Sequence, residues 1–366
     1  MRDSIPTMAV GGERADAPIF VVGTGRSGTT LLRRMLSAHP RIHLTHELSF
    51  YVWDQLFDRG ASAAELLDYF LRSFSFRWLE LPAAPLRERL GALAGREEGH
   101  RIFREAMQLA AEREGKARFG DKTPSHAAHL GRLLADFPGA RVIHIVRDPR
   151  GTLLSLSRMP WASASDVANA LLYENDWRAT EPFLEKILRL RLEDLLADPE
   201  ARMREVLAFV GEDFDPAVLA HAEHPSRFPS TPPLPWLSSS GRPRGAPTAQ
   251  WEGLTPLRIR RIEGLCQKSM RAYGYEAASL PGGTREPGGL RVLLSILGQI
   301  PEALRFAFHF ARLGMMHRRA EAFDDPRRDR IFARLNPRAW SHYPGFVMPP
   351  PPPLLGERDG SVGSGS

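Results

Sequence analysis

Gly23, Arg26, Gly28, Thr29 and Thr30 stand within the eight-residue stretch GTGRSGTT. Two glycines around a turn let backbone N–H groups converge on one point, and the short hydroxyls add further donors. An arginine inside the turn brings a permanent, planar cation. This combination suits a 5′-phosphate, with the arginine beside whatever group leaves it or arrives on it. The spacing Gly23-x4-Gly28 is also that of a nucleoside-triphosphate loop, but Thr29 occupies the place of the lysine that reaches the β- and γ-phosphates. NTP hydrolysis is therefore disfavoured. A P-loop ATP-dependent kinase is the competing enzyme class, and a nucleotide-binding protein that has lost its chemistry is the non-catalytic one.

Such a turn needs a strand before it and a helix after it. Ile19 to Val22 is a short β-branched apolar run suited to a strand buried on both faces. From Thr29 to Ala38 the apolar residues take a helical spacing, with Leu31, Leu32, Met35 and Leu36 on one face and Arg33 and Arg34 facing away. Arg41 to Thr45 reads as a second strand leading into His46-Glu47, and Ala117 to Gly120 as another ending at Asp121-Lys122-Thr123-Pro124. His126 to Phe137 reads as a helix. Arg141 to Arg147 is the second strong buried-strand candidate, followed by Asp148-Pro149 and a helix through Leu156; Arg189 to Leu192 is one more strand. Strand, loop and helix in repetition predict an α/β fold: a P-loop-like doubly wound parallel sheet flanked by helices, with helical insertions and a C-terminal helical extension. Ligands of such sheets bind outside the carboxyl ends of the strands. Arg26, Glu47, Lys122 and Arg147 each fall at or just past such an end, which predicts one site.

The segment GTGRSGTTLLRRMLSAHP resembles the 5′-phosphosulfate-binding loop of the sulfotransferases that use 3′-phosphoadenylyl sulfate (PAPS). It is closest to the arginine-bearing branch that includes the protein-tyrosine sulfotransferases. The resemblance runs from about residue 18 to 278 and implies PAPS as co-substrate, with Arg26, Ser27, Gly28, Thr29 and Thr30 around its 5′-phosphate. VRDPRGTLLSL resembles the family's 3′-phosphate motif, with Arg147 at its start and Ser155 further along the helix. GDKTP resembles the place where tyrosine sulfotransferases carry their catalytic lysine, which assigns Lys122, with Arg26, to the leaving phosphate. Glu47 follows Arg26 at the distance of that family's glutamate base, within a similar stretch, HPRIHLTHE. His46 is the rival base, because cytosolic sulfotransferases use histidine. Two departures stand out. The arginine that normally lies two residues beyond the glutamate is Ser49, and the basic neighbour of the loop-ending tryptophan, Trp251, is Gln250, with Arg242 or Arg244 as substitutes. The resemblance implies sulfuryl transfer to a hydroxyl or phenol acceptor. The bland alternatives are an Arg147–Asp148 ion pair and a Lys122–Asp121 ion pair.

Composition sets the remaining bounds. The net charge of +6 suits polyanionic ligands, yet no Lys/Arg block with interleaved aromatics marks a nucleic-acid surface. Only Lys116, Lys122, Lys186 and Lys268 are lysines among 49 basic residues, so a lysine at a motif position carries extra weight. Cys266 is alone, which leaves no disulfide framework or cysteine metal cluster. His43/His46 and His126/His129 share the H-x-x-H spacing, but neither pair has a third ligand at a fixed distance, so no metal is expected. The first residues lack a signal peptide's apolar core, and no window approaches the ~18 apolar residues of a spanning helix, so the expected location is cytoplasmic. The expected organisation is an arm (1–17), a sulfotransferase domain (18–278) with a helical insertion at 48–115 as the acceptor wall, a linker (279–289), a helical extension (290–345) and a Pro-rich tail (346–366). Residues 290–316 read as a packing helix, a homodimer contact or an interfacial membrane helix.

Overall fold

Ile19, Phe20, Val21 and Val22 form strand β1 (Ile19–Val22), and none of them is exposed. In this computed structural model the described residues are 17–52, 62–92, 98–220, 251, 253–280, 285–317, 330–331 and 334–340. Residues 1–16 of the arm, the loop at 226–250 with Arg242, Arg244 and Gln250, and the tail at 346–366 lie outside them. After β1 come α1 (Thr29–Ala38) and β2 (Ile42–His46). Helices α2 (Ala63–Arg72), α3 (Phe74–Arg77), α4 (Ala83–Leu90) and α5 (Gly99–Arg113) precede β3 (Arg118–Lys122). A 3-10 segment (Pro124–His129) and α6 (Leu130–Asp136) lead to β4 (Arg141–Val146), α7 (Pro149–Leu156) and α8 (Asp166–Thr180). Then follow β5 (Ile187–Arg191), α9 (Leu192–Ala197), α10 (Pro199–Val210), α11 (Pro256–Leu265) and α12 (Gln267–Tyr273). The extension holds α13 (Gly289–Leu297), α14 (Ile300–His317) and α15 (Pro337–Trp340).

The five strands are parallel in the order β2-β3-β1-β4-β5. Because alternate side chains of a strand point to opposite faces, β1 feeds two cores. Phe20 and Val22 pack with Phe50, Phe70, Phe103, Met107 and Leu133, whereas Ile19 and Val21 pack with Leu32, Leu36, Val206 and Leu207. Phe103 sits at the centre of the first, stacked on Phe50 at 5.2 Å and on Phe20 at 5.7 Å. Within 48–115, helices α2 to α5 thus lie in the layer that covers one face of the sheet. Helix starts follow local chemistry. Ser62 and Glu65 form a reciprocal capping box at α2, and Asp148 followed by Pro149 opens α7.

Three expectations are corrected. Arg33 is buried, with its Nε donating to the Leu44 carbonyl at 2.9 Å, because α1 lies flat against β2 and sandwiches that side chain. β3 runs on to Lys122, so Asp121 and Lys122 belong to the strand rather than to the loop after it. The run at 290–316 forms two helices, α13 and α14, since Gly298 and Gln299 interrupt it and Pro301 restarts it in a first turn, where its missing N–H is harmless.

Candidate active site

The chain leaves β1 through Gly23, whose φ is 146° and whose N–H donates to the Pro124 carbonyl at 3.1 Å. A Cβ there would lie 2.3 Å from the Ile145 carbonyl oxygen. Gly28, at φ 97°, caps α1 with no side-chain hydrogen bond, and a Cβ would meet Leu192 at 2.6 Å. The first N–H groups of α1 therefore face the mouth of the turn without a side chain folded over them, an arrangement that attracts anions. Thr29 is buried and Thr30 half-buried at this helix start. Ser27 turns inward instead. Its N–H donates to Thr24 O at 3.1 Å, and its Oγ lies 2.6 Å from Thr24 O and 3.1 Å from Ile145 O.

Arg26 occupies the left-handed region at φ 71°, a conformation uncommon for a residue with a side chain and typical of positions held for function. Its Nε donates to Ser155 Oγ at 3.1 Å, and Arg147 Nη1 donates to the Arg26 carbonyl at 3.0 Å. Arg26, Arg147 and Ser155 therefore form one group on one side of the sheet. Asp148 pairs at 2.7 Å with Arg150, which also holds Glu263 at 2.7 Å, so the carboxylate adjacent to Arg147 in sequence has another partner. Tyr173 OH donates to the Arg147 carbonyl at 2.7 Å. Burial pulls the Arg147 guanidinium below its ordinary pKa. Trp251 lies 4.1 Å from the Arg150 guanidinium, beside this group.

The second group stands at the ends of β2 and β3, where His46 is in register with Lys122. Lys122 Nζ is fully buried, 2.5 Å from Glu47 Oε1 and 3.1 Å from His46 Nε2. Its partner is Glu47, not Asp121. Burial lowers the lysine pKa and the Glu47 charge opposes that shift. Burial, then the Lys122 charge, holds His46 far below the usual imidazole range, so it is neutral and its Nε2 accepts from the lysine. The Glu47 carboxylate is 39% exposed, against 9% for His46, so of the two Glu47 is the more accessible.

Sequence reasoning missed the residue beneath this group. Asp121 is fully buried and accepts from Thr45 Oγ1 at 2.8 Å, Leu48 N at 3.1 Å and Thr123 Oγ1 at 2.6 Å. Thr123 Oγ1 in turn accepts from Ser49 N at 3.1 Å. Glu47 and Ser49 have φ values of 51° and 54°, and this network pins both strained residues. Burial pushes the Asp121 carboxyl up to about 6, with the three donors pulling the other way. Behind the glycine turn, Asp176 accepts from Thr24 Oγ1 at 2.7 Å, and burial pushes it up to about 7. Trp161 packs its ring edge on Gly25. Of these partners only Thr123 lies near Asp121 in sequence, and nothing in spacing pointed to Asp121, Asp176 or Trp161.

Since all the strands run the same way, both groups and the turn lie at one edge of the sheet, with β1 between β3 and β4. Neighbouring strands are about 4.8 Å apart, so Lys122 and Arg147 belong to strands roughly 10 Å apart. Among the described residues no three His, Cys, Asp or Glu side chains cluster as a metal site would require.

A parallel α/β sheet with a glycine turn after its central strand and Arg147 just past the end of the next strand has the layout of a phosphate-binding α/β fold. Comparison with known proteins narrows this: the model of the sulfotransferase family matches residues 18–216, and the chain belongs to that family. A protein-tyrosine sulfotransferase of Drosophila melanogaster is 24% identical over 297 residues, covering 78% of this chain and 52% of its own length. The chain thus spans about half of that relative. Carbohydrate sulfotransferase 5 of Mus musculus is likewise 24% identical, covering 75% of this chain and 84% of its own. Among solved structures, the sulfotransferase domain of the Synechococcus PCC 7002 olefin synthase superposes with a TM-score of 0.50 at 20% identity, over 72% of this chain and 96% of that one, which establishes the shared fold.

Proposed function

We propose that this chain transfers the sulfuryl group of PAPS to a hydroxyl or phenol acceptor by in-line displacement. The observation that carries the reading is the pairing of two groups at one sheet edge: the arginine–serine group of Arg26, Arg147 and Ser155, and the buried Lys122 shared by Glu47 and His46. In this reading the N–H groups of the turn and of α1, from Gly28 to Thr30, hold the 5′-phosphate, and Arg147 with Ser155 holds the 3′-phosphate. PAPS supplies an activated sulfur and a phosphate leaving group. The acceptor oxygen forms a bond to sulfur as the bridging S–O bond breaks, and the electron pair of that bond passes to the 5′-phosphate.

Glu47 takes the acceptor proton; it is the exposed partner, while the one accessible lone pair of His46 is used on Lys122. Lys122 and Arg26 oppose the charge that grows on the leaving phosphate, where a single donor typically accounts for about 10²–10³ in rate. The sulfuryl group in flight is less anionic than a phosphoryl, so these cations suffice without a divalent ion. Helices α2 to α5, which cover the sheet face next to Glu47, form the wall of the acceptor site in this reading. The lone, buried Cys266 accords with a reducing cytoplasm, and no described helix is long and apolar enough to cross a membrane.

The test is incubation with labelled PAPS and a cell extract, alongside ATP with magnesium as the competing donor. Label moving from PAPS to an acceptor supports the proposal, and turnover of ATP alone overturns it. In the same series Arg147→Ala is expected to weaken binding of 3′-phosphoadenosine 5′-phosphate by about tenfold or more, as loss of a charged hydrogen bond would, while adenosine 5′-phosphate binds as before. Equal loss for both nucleotides removes Arg147 from the 3′-phosphate.

A further inference from the structure

Helices α13 and α14 are apolar on two sides. α13 packs on α11 and α14 on α8, where Phe306 is buried with Ala168 and Leu335. Their outer sides carry a second apolar stripe. Leu290, Leu293, Leu294 and Leu297 recur at the i, i+3, i+4, i+7 spacing of one helix face, and they are 48–70% exposed. Ile300, Leu304 and Phe308 continue it along α14, with Leu304 65% and Phe308 60% exposed. Exposed leucines and a phenylalanine recur along two consecutive helices, more apolar surface than a lone water-facing helix pair usually carries.

We propose that this stripe docks the protein on an anionic lipid surface. Charge decides between that occupant and a second copy. Residues 285–317 carry Arg285, Arg291, Arg305 and Arg312 against Glu286 and Glu302. Both glutamates are already used, Glu286 by Arg260 and Glu302 by Arg305. Arg312 stands over the Phe308 ring at 5.7 Å, and Arg291 is exposed within the stripe of α13, so cations border the apolar face. The chain as a whole is also positive, at +6. In a two-fold dimer this face would meet its own cations; an anionic surface complements them, taking leucine and phenylalanine into the acyl boundary and arginine at the headgroups.

The stripe is tied to the flank of the candidate active site. At the bend between the two helices, Gln299 O accepts from Ser165 Oγ at 3.1 Å and Gln299 Oε1 from Asp166 N at 2.9 Å. Asn336 Nδ2 donates at 3.0 Å to the carbonyls of Ser157 and of Met159. The segment so braced, 157–165, carries Trp161 against Gly25 of the phosphate turn. The inference goes beyond the reaction proposed above and does not depend on it.

The test is flotation of the full chain with vesicles of phosphatidylcholine alone or mixed with phosphatidylglycerol. The wild type is expected to float with the mixed vesicles, about tenfold more weakly with the neutral ones, and less at high salt. Leu293→Glu/Leu297→Glu/Leu304→Glu is expected to abolish flotation while keeping the thermal unfolding midpoint, and Leu304→Glu/Phe308→Glu serves should the triple variant not fold. Leu171→Glu, an exposed leucine of α8 (63%), is the control and should float as the wild type does. Three results overturn the proposal: no flotation of the wild type with mixed vesicles, undiminished flotation of the folded stripe variants, or a wild-type dimer that the variants convert to monomer without any vesicle binding. Because the readout needs neither PAPS nor an acceptor, failure of the sulfotransferase reading leaves it interpretable.

Discussion

Lys122 is fully buried, and the Glu47 carboxylate opposes the lowering of its pKa that burial causes, so Glu47 serves two ends at once. Glu47→Gln removes the proton acceptor and uncovers the lysine. We expect turnover to fall by about 10²–10⁴, the usual share of a general base, with binding of 3′-phosphoadenosine 5′-phosphate unchanged by calorimetry. Full turnover in that variant would take Glu47 out of the mechanism. Asp121 acts one step behind. Asp121→Asn keeps the shape but replaces one acceptor oxygen with an amide that cannot accept from both Thr123 and the Leu48–Thr45 side. A loss on the order of 1–3 kcal/mol in stability is expected from the unsatisfied donors, together with a lower kcat at unchanged KM for the sulfate donor, because only the glutamate turn is displaced. An unaltered kcat would make Asp121 purely structural. These residues also mark how far the sequence was legible. Positions at strand ends implied that Arg26, Glu47, Lys122 and Arg147 share one edge; the contacts of Arg26 with Arg147 and Ser155, and of Glu47 with Lys122, were not legible. Asp121 was not readable, because its role rests on partners at 45, 48 and 123 that only the fold brings together.

At the scale of elements, apolar runs located β1 and β4 within a residue, and the two glycines located the turn between strand and helix. β3 was harder to read because its sequence, RFGDK, is charged, yet it is buried along its whole length. Its polar groups are paid for by tertiary partners, such as Glu212 for Arg118 at 2.7 Å and Glu47 for Lys122, and no local pattern encodes those. The same holds for Arg33, which helical periodicity turned outward and the carbonyl of Leu44 holds inside. The glycine turn offers an element-level prediction. Gly28→Ala places a Cβ 2.6 Å from Leu192 on a backbone with φ of 97°. The expected loss is roughly 1–3 kcal/mol from strain and overpacking, read as a lower urea midpoint, with weaker binding of the bisphosphate product. Gly139→Ala is the control, since its Cβ would stand 3.9 Å from Ala17. Equal midpoints for the two variants would show that the turn tolerates a side chain.

The whole molecule should respond to pH through two opposed sets of buried groups. Burial holds His144 down to about 3, so it folds neutral; the stability it contributes is present above its unfolded value of 6.5 and is lost as pH falls below it. His46 and His126 are shifted the same way by burial. Asp121 and Asp176 act in the other direction. Asp176, raised from 3.8 to about 7, contributes stability that is fully present below pH 3.8 and lost as pH rises through 7. Acid therefore destabilises through the histidines while the two buried acids soften the fall. Asp176→Asn isolates one term, because the amide oxygen still accepts from Thr24 Oγ1 but carries no proton to lose. Relative to wild type, the variant should gain stability from pH 4 to pH 7, by about 4 kcal/mol at about 1.4 kcal/mol per pH unit, and level off above pH 7. Urea unfolding at several pH values measures it, and two parallel stability curves would show that the Asp176 carboxyl titrates alike in the folded and unfolded chain.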